Sequence, residues 1–152
     1  MSSVGIGYDS HRFAEGRRLV LGGVEIEHDL GLEGHSDADV LTHAVIDALL
    51  GAAGAGDIGA LFPDNEDRWR DADSVDLLRT VVGTVAGRIV NVDATVVCEQ
   101  PRLGSQRAEM ERILGEAMSA RVNVKATSNE GMGWIGRGEG IACIAVASVQ
   151  SE

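Results

Sequence analysis

The chain has 152 residues, enough to bury one sizeable core, and carries a formal net charge of −11. That charge excludes nucleic acid and anionic membranes as main partners, so a phosphate ligand must be met by a metal, by backbone amides or by a few local Arg and Lys residues. Aromatics are only 3% of residues, which leaves Val, Ile, Leu and Ala to build the core, and twenty glycines point to tight turns and backbone-lined sites.

In chain order, residues 4–8 read as a first strand and residues 18–26 as a pair of short strands around Gly22-Gly23. A helix is predicted over 37–53, with Ser36 as N-cap and acidic residues in its first turn. Val45, Ala48 and Leu49 supply its apolar stripe. Asp39, His43 and Asp47, at i, i+4 and i+8, share another face, where the chemistry is expected. Residues 54–73 read as loop, with a turn at Pro63-Asp64-Asn65. Ser74 caps a second helix running to about residue 87. A β-rich run follows over 89–99, a third helix over 106–120, a strand over 122–127 and a closing strand over 141–149.

The pattern predicts an α+β fold, a mixed β-sheet with helices packed on one face, as one domain over residues 1–152. The other sheet face would lie uncovered, which favours self-association. Cys98 and Cys143 lie in apolar strand-like runs and read as buried free thiols. The first residues, Met1-Ser2-Ser3-Val4, do not join a basic stretch to an apolar one, and no apolar run approaches the roughly 18 residues of a membrane span. The chain reads as cytoplasmic.

Asp9-Ser10-His11 and His35-Ser36-Asp37-Ala38-Asp39-Val40-Leu41-Thr42-His43 carry the chemistry. On a strand, Asp9 and His11 point to the same side, while His43 lies about two turns into the predicted helix. Two histidines and a carboxylate form a catalytic zinc set, because three protein ligands leave a fourth position open. Spacing alone equally permits a surface Asp-His pair beside an unrelated helix histidine.

The run from Ser36 to Leu49 resembles the signature of the 2-C-methyl-D-erythritol 2,4-cyclodiphosphate synthase family of the non-mevalonate isoprenoid pathway. Further matches lie in order along the chain: Gly7-Tyr8-Asp9-Ser10-His11, Gly22-Gly23, Asp57-Ile58-Gly59, Leu61-Phe62-Pro63-Asp64, Ala72-Asp73-Ser74, Asn123-Val124-Lys125-Ala126-Thr127 and Gly136-Arg137-Gly138-Glu139-Gly140. The resemblance implies a lyase that closes 4-diphosphocytidyl-2-C-methyl-D-erythritol 2-phosphate into the 2,4-cyclodiphosphate and releases CMP. It also implies a homotrimer with sheets facing the central axis and active sites in the clefts between subunits.

By the same resemblance, Asp9, His11 and His43 are zinc ligands, one Zn²⁺ per subunit, and Glu130 holds Mg²⁺ or Mn²⁺ at the diphosphate. His35 and Ser128 are the catalytic stabilisers; Ser36, Thr127 and Asn129 contact substrate beside them. Asp57, Ile58 and Gly59 would meet the methylerythritol hydroxyls, flanked by Phe62, Pro63, Asp64, Asn65 and Glu66. Cytosine recognition maps to Cys98, Gln100, Pro101, Arg102, Leu103 and Gly104. Trp134 and Arg137 would line the trimer axis, where Arg137 can meet an isoprenoid diphosphate in a central cavity. The chain departs from the family at Arg102, commonly lysine, at Gly104, usually apolar, and at Gly131, commonly lysine. The metal set alone would also permit a zinc phosphohydrolase, and Arg137 alone an isoprenoid-sensing binding protein.

Overall fold

The computed structural model describes all 152 residues. Its strands, in chain order, are β1 (Ser2–Ala14), β2 (Leu19–Leu21), β3 (Val24–Ile26), β4 (Gly31–Leu32), β5 (Arg88–Val97), β6 (Arg121–Thr127) and β7 (Gly140–Gln150). Five of them form the main sheet in the order β4-β1-β7-β5-β6, and β2 and β3 make a separate hairpin. The sheet is mixed: β5 and β6 run parallel, and the other neighbours are antiparallel. The helices are α1 (Val40–Ala53), α2 (Ile58–Leu61), α3 (Ser74–Val82), α4 (Arg107–Met118) and α5 (Gly133–Gly136), with a 3₁₀ turn at Asp67–Trp69.

α1 lies across β1 and β7, and the strand is shaped to receive it. A Cβ at Gly7 would sit 1.9 Å from the Ala44 carbonyl oxygen, and one at Gly5 would sit 2.0 Å from that of Ala48. Only glycine admits so close a helix. Ile141, Cys143, Ala145, Ala147 and Val149 of β7 complete the buried side. Asp9 and His11 continue the Gly5–Gly7 alternation and so point towards α1.

The large apolar residues of β1 face the other way. Val4, Ile6, Tyr8, Ile144 and Val146 are exposed, and register places Ile6 opposite Val146 and Tyr8 opposite Ile144. The predicted uncovered sheet face is therefore present. Both cysteines are free and buried, as the sequence suggests.

Several boundaries move. β1 runs on past residue 8 to Ala14, pairing with β7 as far as Arg12 and with β4 beyond it. α1 begins at Val40, capped by Asp39 rather than Ser36, and its first turn holds no acidic residue. Ala38 adopts a left-handed backbone (φ 58°) that ends any helix reaching back to residue 37. The Asp39 carboxylate wins because it accepts from Thr42 N–H at 2.9 Å and also from Gly22 and Gly23 N–H at 2.9 and 2.8 Å. It is fully buried and bonded to the β2–β3 hairpin, so of Asp39, His43 and Asp47, expected to share the chemical face, Asp39 is taken up by a structural role. α3 is capped by Asp73, with Ser74 as its first residue, and stops at Val82, short of the predicted 87. Residues 54–73, expected as loop, contain α2 and the 3₁₀ turn, and α5 is a tetrad flanked by glycines that carries no period in the sequence.

Candidate active site

β1 and α1 bring Asp9, His11 and His43 together. Their ligand atoms all lie within 4.8 Å of one another. Asp9 Oδ2 stands 2.9 Å from His11 Nε2 and 3.1 Å from His43 Nδ1. Metal–ligand bonds of about 2.0–2.2 Å put tetrahedral ligand atoms roughly 3.3 Å apart, close to both Asp9–histidine separations. The geometry thus makes these three residues a group that could hold a divalent metal ion.

Each imidazole is held by its other nitrogen. His11 Nδ1 lies 2.8 Å from the Glu33 carbonyl oxygen, a partner that accepts only, so this nitrogen carries a proton and Nε2 faces the site. His43 Nε2 lies 2.8 Å from Ser74 Oγ and 3.1 Å from Ser36 Oγ.

Asp9 and His43 are both shifted by their neighbours. Burial pushes the Asp9 carboxyl up, but hydrogen bonds and charge from His11 and His43 outweigh it and bring the pKa from 3.8 down to about 2. Burial lowers His43, yet the Asp9 bond and the charges of Asp9, Asp39 and Asp37 leave it raised above 6.5. Asp47, on the same face as His43, is raised by burial against the N–H that Ile58 donates at 2.8 Å.

A cavity of about 510 Å³ opens over His11 and His43. His35, Ser36, Ile58, Gly59, Phe62, Pro63, Asp64 and Asn65 line it, which gathers most of the predicted sugar and phosphate contacts into one place. Asp57 instead caps α2, accepting from Ala60 N–H at 3.0 Å. Glu66 offers its carbonyl, 3.0 Å from His35 Nε2.

A second cavity of about 580 Å³ holds Cys98, Gln100, Pro101, Arg102, Leu103, Gly104, Thr127 and Ser128. It shares no lining residue with the first. Burial and the neighbouring Glu99 charge push the Cys98 thiol up to about 11, so it stays protonated and donates to the Pro101 carbonyl. Beside this cavity Asn129 donates to the Met132 carbonyl, and Glu130 is exposed on a left-handed backbone (φ 54°). Trp134 lines a third hollow with Ser10, His11, Arg12 and Glu139, and Arg137 pairs with Glu139 at 2.6 Å.

The chain matches the model of the YgbB family over residues 2–150. It belongs to that family.

The 2-C-methyl-D-erythritol 2,4-cyclodiphosphate synthase of Salinibacter ruber is 55% identical over 154 residues, which cover 97% of this chain and 98% of that one. The bifunctional IspDF of Campylobacter jejuni has the same fold (TM-score 0.96, 38% identity), covering 100% of this chain and 43% of that one. IspF of Plasmodium falciparum in a CDP complex has a TM-score of 0.84 at 30% identity, covering 99% of this chain and 97% of that one. The chain thus spans less than half the length of the bifunctional relatives it matches and nearly all of the single-function ones.

The structure gives further residues of this YgbB-family site contacts that motif and spacing do not specify. Asp37 and Ser74 stand behind His43, Trp69 lines the cavity, and Glu99 accepts from Gly131 N–H at 2.8 Å. Ser74 has a signal in the Ala72-Asp73-Ser74 match, beyond the helix-cap role its sequence position suggests. No helix is long and apolar enough to cross a membrane.

Proposed function

We propose that this chain, as a single cyclodiphosphate synthase domain over residues 1–152, converts 4-diphosphocytidyl-2-C-methyl-D-erythritol 2-phosphate into 2-C-methyl-D-erythritol 2,4-cyclodiphosphate and CMP. The observation that carries this reading is the Asp9–His11–His43 cluster, whose two histidines line the 510 Å³ cavity. Family membership and the likeness to single-function synthases support it.

In this reaction an oxygen of the 2-phosphate attacks the β-phosphorus of the same molecule. The Pβ–O bond to the α-phosphate breaks, and CMP leaves with the electron pair. The nucleophile is already an anion, so no side chain has to deprotonate it. Positioning and charge neutralisation are what the protein must supply. Asp9, His11 and His43 would hold Zn²⁺, which supplies Lewis acidity and a fixed template for phosphate oxygens.

His35 and Ser36 lie beside that cluster and would hold the reacting phosphates. Asp57, Ile58 and Gly59 would bind the methylerythritol hydroxyls, with the Asp47 carboxylate tying Ile58 to the metal-bearing helix. Phe62, Pro63, Asp64, Asn65 and Glu66 would close over the sugar. Cys98, Gln100, Pro101, Arg102, Leu103 and Gly104 would bind cytidine, and Glu130 would hold Mg²⁺ or Mn²⁺ at the diphosphate beside Thr127, Ser128 and Asn129.

A cytidine end and a metal end that share no residue suit a site completed between copies. The uncovered apolar face of β1 and β7 supports a homotrimer with its sheets turned inward. Trp134 and Arg137 would then face the axis, with Arg137 able to meet an isoprenoid diphosphate there.

The test is a product assay. Purified protein with Zn²⁺ and Mg²⁺ is given the substrate, and products are resolved by mass spectrometry and phosphorus NMR. Equal CMP and cyclodiphosphate, lost on chelation, is the expected result. CMP with an open, hydrated bisphosphate would make the protein a hydrolase instead.

A further inference from the structure

His43 is a ring with two nitrogens, and only one can ligate a metal while the other keeps a proton. Nothing in the sequence says which. The surroundings of Nε2 do.

Ser74 is fully buried at the first turn of α3, and its Oγ lies 2.8 Å from His43 Nε2. The same hydroxyl donates a short hydrogen bond to Asp37 Oδ1. Asp37 is fixed in place by further donors: Ser74 N–H reaches Oδ2 at 3.0 Å, and Asp39 N–H reaches Oδ1 at 3.1 Å. Its own N–H donates to the Ala72 carbonyl, which anchors the 35–37 segment to the approach to α3. A carboxylate accepts only, and a serine hydroxyl has one hydrogen. With that hydrogen given to Asp37, Ser74 presents a lone pair to His43, so Nε2 must carry the proton. Ser36 Oγ, which accepts from Ala38 N–H at 3.2 Å, stands 3.1 Å from the same nitrogen. The opposite tautomer would set two lone pairs face to face and aim a proton at the metal.

We propose that Ser74 and Asp37 form a positioning pair that fixes the ring of His43 so that Nδ1 is the atom offered to the metal. This rests on the metal reading above. The pair makes α3, which otherwise supplies only Leu77 to the cavity wall, part of the metal centre. Partners of this kind, bonded to the far nitrogen of a metal-bound histidine, are worth roughly 10–100-fold in metal affinity.

The test uses the full chain, labelled with ¹⁵N-histidine and loaded with ¹¹³Cd²⁺ in place of the native ion. Long-range proton–nitrogen NMR should show cadmium coupling at His43 Nδ1, with the proton on Nε2, and cadmium coupling at His11 Nε2 as the internal reference. Coupling through His43 Nε2 overturns the proposal and leaves the metal reading standing. No coupling at either histidine removes the metal reading itself. Ser74→Ala should then lower Zn²⁺ affinity by roughly 10–100-fold in chelator competition, with the metal-free protein still folded. A folded Ser74→Ala protein that binds Zn²⁺ as tightly as the parent overturns the pair. If Ser74→Ala does not fold, the cadmium spectrum of the unaltered chain still decides.

Discussion

The cavity proposed for the metal and the cavity proposed for cytidine are of similar size, about 510 and 580 Å³, but they are built differently. The first is floored by side chains bonded to one another across β1, α1 and α3: Asp9 to both histidines, His43 to Ser74, Ser74 to Asp37. The second is formed by the loop after β5, Arg107 at the start of α4 and the end of β6, and its Glu99 and Ser128, with Glu130 beside them, are held by few bonds. One region is preorganised within a single chain. The other is a surface hollow with fewer bonds among its side chains. Replacements in the first should therefore act through the metal and the fold, and replacements in the second should act gently and on binding alone.

The largest expected effect is that of His43→Ala. Removing a ligand outright should cost more than the ~10–100-fold that loss of a supporting partner costs. Turnover should fall by more than about 100-fold and Zn²⁺ binding with it, read by the product assay and by metal analysis after dialysis. Retained zinc with retained turnover would break the contrast drawn above. Next comes Gly7→Ala. Its Cβ would meet the Ala44 carbonyl at 1.9 Å, and backbone cannot yield as a side-chain tip can. Overpacking of this kind costs about 1–3 kcal/mol, visible as a lower denaturant midpoint. The helix bearing His43 is pushed outward by the same change, so metal affinity should fall together with stability.

Ionisation sharpens the comparison further, because Asp9 and His43 shift one another. The Asp9 carboxyl lies at about 2 in the folded chain against 3.8 unperturbed. Its contribution to metal-free stability, about 2 kcal/mol, is present above pH 3.8 and is lost as pH falls through about 2. His43 is raised, so its contribution is full below pH 6.5 and lost as pH rises through its folded value. Metal binding runs the other way, since the ligating nitrogen must shed its proton. Affinity should climb about tenfold per pH unit up to the folded pKa of His43 and then level off, as followed by competition titration. A flat profile from pH 5 to 8 would show that the histidine is not a ligand.

What the sequence made legible follows the same division. Asp9 and His11 were readable because a strand alternates with period two, and His43 because helical spacing carried it towards them. The uncovered sheet face was readable from the count of helices against strands. The cap of α1 was not. Ser36, Asp37 and Asp39 are all competent caps within four residues, and the choice fell to the buried N–H groups of Gly22 and Gly23, which are distant in sequence. With Asp39 taken by the hairpin, Ser36 and Asp37 were released to face His43 and Ser74. Local signals could not rank candidates that only tertiary contacts separate. The tie from Glu99 to Gly131 spans 32 residues and left no local trace either.

That tie gives the first of two smaller predictions in the cytidine-end region. Glu99→Ala removes one exposed, charge-assisted bond, worth about 0.5–1.5 kcal/mol. It should raise KM by about 2–10-fold and leave zinc affinity unchanged, so a loss of zinc would mean that the two cavities communicate within one chain.

Gly131→Lys should have the smallest effect of all, because two terms oppose one another. The substitution places a positive charge beside Glu130, where the synthase pattern commonly has one, and a Cβ there meets open space. Yet Gly131 has φ 73° and directly follows Glu130 at φ 54°, so a side chain would stand in the left-handed region. That conformation costs a non-glycine residue about 1–2 kcal/mol. A single exposed charge attracting a diphosphate gains a similar amount. Substrate affinity should move by less than about threefold, with the unfolding midpoint slightly lowered. A tenfold gain in affinity would mean that the turn relaxes when the lysine is present, and that Glu99 rather than glycine holds its shape.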